Sequence, residues 1–299
     1  MINHLSELVE AAKLSGKKRL VAAYANDSHT ICAVSSAIDA GIVVATLVGD
    51  RSKIEAVCKE HAIDVSKFEI IECQGDVECV KEAVNCINRG EADILMKGVV
   101  STDKYMRGIL SKTGGLVAPK AVLSHVTLVE IPSYHKLLAL TDVAVIPAPT
   151  LEQKVALTKY VIKIAHTLGI ERPKVALIAP TEQMLPSMSS CVDAAIISKM
   201  ADRGQIVGGD VDGPLALDVA IDKEAAQIKK LQSKIDAEAD CLVFPNIESA
   251  NVFFKATTKL CGGELAAIVM GARVPCVLTS RGDSENSKLY SIALAVLCS

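Results

Sequence analysis

In the first part of the chain, segments with the spacing of apolar residues typical of a helix alternate with short apolar runs typical of a strand. Residues 3–15 place their apolar side chains on one helical stripe, and Gly16 follows as a stop signal. Residues 19–25 then form an almost continuous apolar run, which is typical of a buried strand. Ser28 is predicted to cap the next helix, which ends at Gly41 because glycine readily terminates helices.

The same alternation continues for most of the chain. Further strands are predicted at residues 42–48, 68–71, 92–96, 174–179, 241–244 and 274–279. Helices are predicted around residues 54–57, 77–87, 103–110, 192–201, 250–261 and 287–297. Asp50 is expected to cap the first of these helices, and a capping box that begins at Thr150 opens a longer helix that stops at Gly169. Short connections between such elements favour a parallel, doubly wound α/β sheet.

A pair of glycines interrupts this alternation. After Gly114 and Gly115, two alternating runs follow at residues 125–131 and 143–147, with no helical pattern between them. They predict a local antiparallel excursion. A chain of 299 residues is expected to form about two domains. The two glycines are therefore the predicted crossing between domains.

The composition favours a protein that binds small molecules. Half of the residues are hydrophobic but only 3% are aromatic, so the cores must consist of Ala, Val, Leu and Ile, as in parallel sheets covered by helices. The formal net charge is −3 and there is no basic run, which argues against a nucleic-acid partner. No apolar run reaches the ~18 residues that a membrane helix needs.

Ten cysteines are present, yet they do not suggest disulfides or a metal site. Most lie in apolar helical or strand-like patterns, and there is no CxxC pair and nothing that resembles a secretory signal. Cys73, Cys79 and Cys86 are separated by gaps of five and six residues, which fit no common zinc spacing. Reduced thiols, no bound metal and a cytoplasmic location are expected.

Polar residues that suit an anion follow the last predicted strand. Ser280, Arg281 and Asp283 stand between that strand and the final helix. Ligands of open α/β sheets bind at the carboxyl ends of strands, and an arginine can hold a phosphate with two parallel hydrogen bonds. The alternative is an ordinary junction whose helix is capped by Ser284 or Ser287.

A second strand-to-helix junction has the same character. Lys97 ends a buried strand, Gly98 follows it, and Ser101 and Thr102 begin a helix that carries Arg107 one turn later. Cations often meet phosphate at such a position. The alternative for Arg107 is a solvated surface arginine, the common fate of a single helical arginine.

Two further segments lie in the second half of the chain. Asp212, Gly213 and Pro214 suggest a fixed turn at a strand end, where the aspartate either caps the next helix or accepts hydrogen bonds from a substrate. Asn246 and Asn251 follow another strand, and the alternative for both is that they satisfy local backbone groups. Four such strand ends are the pattern expected around one cleft.

In this order the four segments resemble the phosphate acetyl/butyryltransferase family over nearly the whole chain. The most specific matches are 212–215, 244–248 with Asn251 and Lys255, and 279–281. Three further segments are similar to the butyryl branch of the family. They are residues 134–138 with the following residues 141–142, residues 173–176 and residues 288–291.

The resemblance implies two α/β domains of the isocitrate and isopropylmalate dehydrogenase kind, with mostly parallel sheets and coenzyme A in a central cleft. The first domain would take residues 1–115 and 270–299, and the second would take residues 116–269. It also implies a homodimer or larger homo-oligomer. Coenzyme A would be a substrate, and no cofactor is expected.

The resemblance further implies a set of site residues. The catalytic residues would be Ser280, Arg281 and Arg107. Substrate-binding residues would be Lys97, Gly98, Ser101, Thr102, Asp212, Gly213, Pro214, Asn246, Asn251 and Asp283. The two arginines are expected to converge on one anion pocket. The acetyl enzymes carry an aspartate, proposed as the base, at the position that Ser287 holds here.

Transfer of a butyryl group between coenzyme A and inorganic phosphate is therefore the expected activity, with acetyl transfer as the nearest alternative. An apolar pocket discriminates weakly between chain lengths. More remote alternatives are an NAD-dependent dehydrogenase of the same fold and a non-catalytic protein that binds coenzyme A. Against the dehydrogenase, no GxGxxG motif follows a strand.

Overall fold

The computed structural model describes residues 1–280 and 282–299. The strands are β1 (Lys18–Ala23), β2 (Val43–Gly49), β3 (Phe68–Glu72), β4 (Ile94–Lys97), β5 (Ser124–Glu130), β6 (Leu138–Thr141), β7 (Lys174–Ile178), β8 (Asp210–Leu215), β9 (Cys241–Val243), β10 (Glu264–Met270) and β11 (Cys276–Val277). The helices are α1 (Leu5–Leu14), α2 (Ser28–Asp39), α3 (Arg51–Glu60), α4 (Asp76–Asn88), α5 (Thr102–Ile109), α6 (Leu151–Thr167), α7 (Ser189–Asp202), α8 (Leu217–Ile221), α9 (Lys223–Ile228), α10 (Ile247–Lys259) and α11 (Glu285–Cys298). A short 3₁₀ helix covers Val65–Lys67.

The chain divides into two compact units, each made of more than one segment. The first unit comprises Leu5–Leu123 and Leu265–Ser299, and the second comprises Met1–His4 and Ser124–Glu264. These bounds describe how the backbone packs. The functional division into 1–115 with 270–299 and 116–269 stays a prediction.

The first unit has a doubly wound sheet. Its strand order is β3-β2-β1-β4-β11-β10, with parallel pairing from β3 through β11 and antiparallel pairing of β10 with β11. Residues 20–23 of β1 are almost completely buried, because helices shield the central strands. Helix α11 packs against both α1 and α2, which places most of this last helix in the core of the unit.

The second unit has the strand order β5-β6-β9-β7-β8. The pairs β6–β9, β9–β7 and β7–β8 are parallel, and β5–β6 is antiparallel. The predicted antiparallel excursion is therefore confirmed, but its second strand is Leu138–Thr141 and not residues 143–147. The Asp142 carboxylate accepts hydrogen bonds from the backbone N–H groups of Ala144 and Val145, both at 2.8 Å. Those N–H groups are committed to a turn and not to a ladder.

Local capping decides where several helices begin. Asp27, and not Ser28, is the N-cap of α2, and its carboxylate accepts from the backbone N–H of Thr30. Asp50 caps α3 as predicted. Thr150 and Gln153 form the predicted capping box at the start of α6.

The structure shows the surroundings of the cysteines, which were expected to be reduced thiols. In the part of the chain that the structure describes, the ten cysteines lie outside any disulfide, and most of them are buried or half-buried. Cys261 was expected in a helix, but it lies just beyond α10 and is exposed.

None of the helices in the described part of the chain combines the length and the apolar character that crossing a membrane requires.

Candidate active site

Three neighbouring strands of the first unit end at the same edge of their sheet. Strand β4 lies between β1 and β11, and all three run parallel. Ala23 is opposite Lys97, and Val277 is opposite Met96. The predicted segments after β4 and after β11 therefore lie side by side, as expected for a ligand site at carboxyl strand ends. The sheet brings the segment that contains Gly98 beside the segment that contains Ser280.

Gly98 marks a close backbone approach between two of these strand ends. Its N–H donates to the carbonyl of Ala23 at 2.9 Å, and the N–H of Val99 donates to the carbonyl of Tyr24 at 3.1 Å. A Cβ atom on Gly98 would lie 2.3 Å from the Tyr24 carbonyl oxygen and 2.7 Å from that of Ala23. Both obstacles are backbone atoms, so only glycine fits here.

Lys97 is buried and is turned back onto its own loop. Its ammonium group donates to the carbonyl oxygens of Gly98 at 3.0 Å and Val100 at 3.1 Å. Because an ammonium group is buried only when it is well hydrogen-bonded, these contacts hold the loop in place. They also hold a positive charge at the carboxyl end of β4.

Helix α5 presents the other predicted residues of this junction on its exposed side. Ser101 is the N-cap, with its hydroxyl accepting from the N–H of Lys104 at 3.4 Å. Thr102 is the exposed first residue of the helix. The guanidinium of Arg107 is 78% exposed and pairs with the carboxylate of Asp103 one turn earlier. Such an exposed pair has only weak stabilising energy.

Tyr105 fixes α5 to the strands that carry the site. Its hydroxyl is fully buried and donates to the carbonyl oxygens of Leu95 in β4 and Val277 in β11, at 3.2 and 3.3 Å. Burial raises the pKa of Tyr105 well above its usual value. The phenol therefore stays protonated and remains a donor across the physiological pH range.

Replacement of Tyr105 by phenylalanine is expected to destabilise the protein by about 1–2 kcal/mol, because a buried donor shared by two strands is lost. Urea denaturation would show a lower midpoint with an unchanged slope. A midpoint equal to that of the wild type would contradict the anchoring role.

The segment after β11 forms a tight turn at Ser280. The N–H of Ser280 donates to the carboxylate of Asp283 at 2.6 Å, and the N–H of Asp283 donates back to the Ser280 carbonyl at 3.2 Å. The Ser280 hydroxyl accepts from the N–H of Gly282 at 3.4 Å, and the Ser280 residue is exposed. Arg281 lies outside the described residues, and its predicted role stays a prediction.

Serine hydroxyls cap the helix that follows this turn. The Ser284 hydroxyl accepts from the N–H of Ser287 at 3.0 Å, and the two hydroxyls are also 3.0 Å apart. The capping that the sequence analysis gave as an alternative is thus present. Ser287 is buried and is part of this network. Ser287 has no carboxylate, although the family resemblance implied an aspartate at this position in the acetyl enzymes.

In the second unit, the segment Asp212–Pro214 lies inside β8 and not in a turn at a strand end. The Asp212 carboxylate accepts from the hydroxyls of Ser198 and Ser233 and from the N–H of Gly213. Ala216 is the N-cap of the next helix, so the alternative in which Asp212 caps that helix is wrong. The role of Asp212 toward a substrate stays a prediction. The proline is tolerated because β8 is the last strand in the order and needs no further ladder donor there.

Both asparagines of the second unit have local backbone partners. Asn246 is the N-cap of α10, and its side-chain oxygen accepts from the N–H of Ser249 at 3.0 Å. The amide of Asn251 donates to the carbonyl of Val143 at 2.9 Å. These contacts hold α10 against the loop that follows β6. A role of either asparagine toward a substrate stays a prediction.

A sequence profile described as phosphate acetyl/butaryl transferase matches residues 4–85 and 77–296. The chain belongs to this family. The resemblance drawn from the strand-end segments is therefore confirmed.

Relatives in the family cover almost the whole chain. A phosphate butyryltransferase from Clostridium acetobutylicum is 41% identical over 297 residues, which are 99% of this chain and 98% of that protein. A phosphate acetyltransferase from Thermotoga maritima is 40% identical over 293 residues, 98% of this chain and 99% of that protein. The crystal structure of a branched-chain phosphotransacylase from Enterococcus faecalis V583 matches with a TM-score of 0.80 and 28% identity, covering 94% of this chain and 99% of that one. The predicted α/β fold class is confirmed.

Two charged residues near the strand ends of the first unit were not among the predicted site residues. Asp27 caps α2 directly beyond the carboxyl end of β1, which is the neighbour of β4. Lys288 lies in the first turn of α11, and its ammonium group donates to the Asp283 carbonyl at 2.8 Å. The sequence signal for Asp27 was the same strand-to-helix pattern seen after β4. Lys288 was named only as part of the segment 288–291 that is similar to the butyryl branch, and not as a site residue.

Proposed function

We propose that this protein transfers a short acyl group, butyryl in the first place, between coenzyme A and inorganic phosphate. The observation that supports the proposal is the 41% identity to a phosphate butyryltransferase across 99% of the chain. The adjacent ends of β4 and β11, with a buried lysine beside an exposed serine turn, are compatible with a site for phosphate and a thiol.

The proposed reaction is a direct transfer with both reactants bound. The coenzyme A thiolate attacks the carbonyl carbon of the acyl phosphate, the bond from that carbon to the phosphate oxygen breaks, and inorganic phosphate leaves. The reverse direction makes acyl phosphate from acyl-CoA. Holding two reactants in contact can itself supply roughly 7–11 kcal/mol of barrier reduction, so no covalent enzyme intermediate is needed.

Negative charge grows on the carbonyl oxygen and on the departing phosphate during this step. Arg281 and Arg107 are proposed to stabilise that charge, since fixed cations in a water-poor site act strongly on a transition state. The guanidinium of Arg107 would exchange its exposed partner Asp103 for phosphate, which is feasible because exposed ion pairs are weak. Ser280 would orient the thiol sulfur.

A dedicated base is not required by this proposal. The position of the acetyl enzymes' aspartate is held by Ser287, whose buried hydroxyl contacts the helix cap. A thiol has a reference pKa of about 8.5, so nearby positive charge supplies thiolate at neutral pH. Lys97 is one such charge at the described strand ends.

Acetyl transfer is the second candidate, because the Thermotoga maritima phosphate acetyltransferase is 40% identical to this chain. Phosphate-dependent loss of acyl-CoA absorbance would be measured with acetyl, propionyl, butyryl and isobutyryl donors. We expect the highest kcat/KM with butyryl-CoA. Its advantage over acetyl-CoA should be at most about 10- to 200-fold for each additional methylene group. The highest value with acetyl-CoA would favour the second candidate. No loss with any donor would rule out both.

A homodimer or larger homo-oligomer in the cytoplasm is proposed on the family resemblance alone. Light scattering of the purified protein tests the assembly, and a monomer at micromolar concentration would contradict it.

A further inference from the structure

Lys288 occupies a position that is unfavourable for a lysine. It is only 4% exposed and lies in the first turn of α11, four residues after the Ser284 cap. Burial of an ammonium group is costly, and the partial positive charge at a helix N-terminus repels a cation. A residue that breaks two such rules at once is expected to have a compensating role, and such residues concentrate at functional sites.

The surroundings of Lys288 include one hydrogen-bond acceptor and three nearby carboxylates. Its ammonium group donates to the Asp283 carbonyl at 2.8 Å. The charges of Asp283, of Asp27 in the α2 cap and of Glu285 in α11 all act on it. Burial lowers the pKa of Lys288, and these three carboxylates oppose that shift. The lysine is therefore bonded to the turn after β11, and it lies within electrostatic reach of the carboxylate that caps α2.

Asp283 transmits the position of Lys288 to Ser280. Its carboxylate accepts from the N–H of Ser280 at 2.6 Å, and its own N–H donates to the Ser280 carbonyl at 3.2 Å. Three hydrogen bonds thus join the buried ammonium group to an exposed serine.

We infer that Lys288 is a positioning residue for acyl transfer: through the Asp283 carbonyl it fixes the turn that presents Ser280, and it places a buried positive charge beneath that turn. The inference rests on the proposed function, since it assigns Ser280 to the reaction. Lys288 does not itself contact the reacting atoms in this scheme.

A purely structural role makes a different prediction. Replacement of a buried charge by an apolar side chain of similar volume is often neutral or stabilising. A lysine that only filled space would therefore be replaceable by methionine without loss of turnover. If Lys288 positions the turn, the methionine variant should keep the stability of the wild type but lose turnover.

The test compares Lys288→Met, Lys288→Gln and Lys288→Arg with the wild type. The matched control is Lys53→Met, which removes an exposed lysine from the first turn of α3. For the methionine variant we expect kcat to fall about 100-fold, the cost of a small misplacement of a reacting group. The glutamine variant, which keeps a donor without the charge, should lose about tenfold. The arginine variant should retain more turnover than either, and the control should match the wild type.

Two further readouts separate positioning from a loss of active protein. The binding stoichiometry of coenzyme A, measured by calorimetry, should stay that of the wild type in every variant. The KM for acyl-CoA should change by less than about threefold, because the interaction that is lost acts on the transition state. Circular dichroism confirms that each variant is folded.

Each outcome supports or overturns the inference. If the folded methionine or glutamine variant keeps kcat within about threefold of the wild type, Lys288 does not position the turn. If neither variant folds, the role of the lysine is structural and the inference is wrong. A wild-type enzyme without phosphate-dependent acyl transfer would overturn the proposed function as well. A wild-type enzyme that is active, with equally active variants, would overturn only the inference.

Discussion

Replacement of Arg281 by glutamine is expected to lower kcat/KM for acyl transfer by about 100- to 1,000-fold, the usual loss when one charge-stabilising donor is removed. The variant keeps a hydrogen-bonding side chain of similar length but lacks the positive charge and the fork that holds phosphate. For Arg107→Gln we expect a smaller decrease of kcat/KM, about tenfold. In the wild type, Arg107 must give up its ion pair with Asp103 in order to bind phosphate, and this cost reduces its net contribution.

The measurement is steady-state turnover of butyryl-CoA with phosphate varied. Arg51→Gln is the matched control, because Arg51 is a half-exposed arginine in the first turn of α3 whose guanidinium donates to the Ile70 carbonyl. Its turnover should equal that of the wild type. If Arg281→Gln and Arg107→Gln also turn over at the wild-type rate, the proposed site is wrong.

Replacement of Gly98 by alanine should produce the largest loss of stability. The new Cβ would stand 2.3 Å from the Tyr24 carbonyl oxygen, and a backbone atom cannot swing aside as a side chain can. The ends of β1 and β4 must separate, which we expect to cost roughly 2–4 kcal/mol. The melting temperature should fall by roughly 4–16 °C, since about 1 kcal/mol corresponds to 2–4 °C in a chain of this order of length.

Differential scanning calorimetry checks this result, and Gly282→Ala is its control. Apart from its chain neighbours, a Cβ on Gly282 would meet no atom of the described residues within 4 Å, and this glycine lies in the loop that follows β11 of the first unit. The control should melt within about 2 °C of the wild type. Equal melting temperatures for both variants would show that the β1 and β4 ends do not approach as closely as described.

The regular elements were largely predictable because their signals are local. The helix that begins at Thr150 followed from its capping box, and β7 followed from a short apolar run. Strand β8 was missed, because two aspartates, a glycine and a proline are the composition of a turn. Its pairing with β7 overrides that composition. Strand β10 was also missed, since a short apolar run alone does not distinguish a strand from a buried helix.

The candidate site was less predictable, because sequence gives residue types but not their partners. The strand ends that carry Lys97 and Ser280 followed from the α/β pattern. The pairing of Arg107 with Asp103, and the backbone partners of Asn246, required coordinates. Lys288 was overlooked as a site residue because a helical lysine is ordinarily exposed.

The order of synthesis has a consequence for the first unit, whose sheet needs residues from both sides of the second unit in the chain. While residues 1–264 emerge from the ribosome, β4 has β1 on one side and its other edge still lacks β11. An unpaired apolar edge invites association with other chains, and translation at about 5–20 residues per second leaves it open for roughly 10–35 s. The nascent protein therefore depends on late arrival of β11 and α11 both to close this edge and to deliver Ser280.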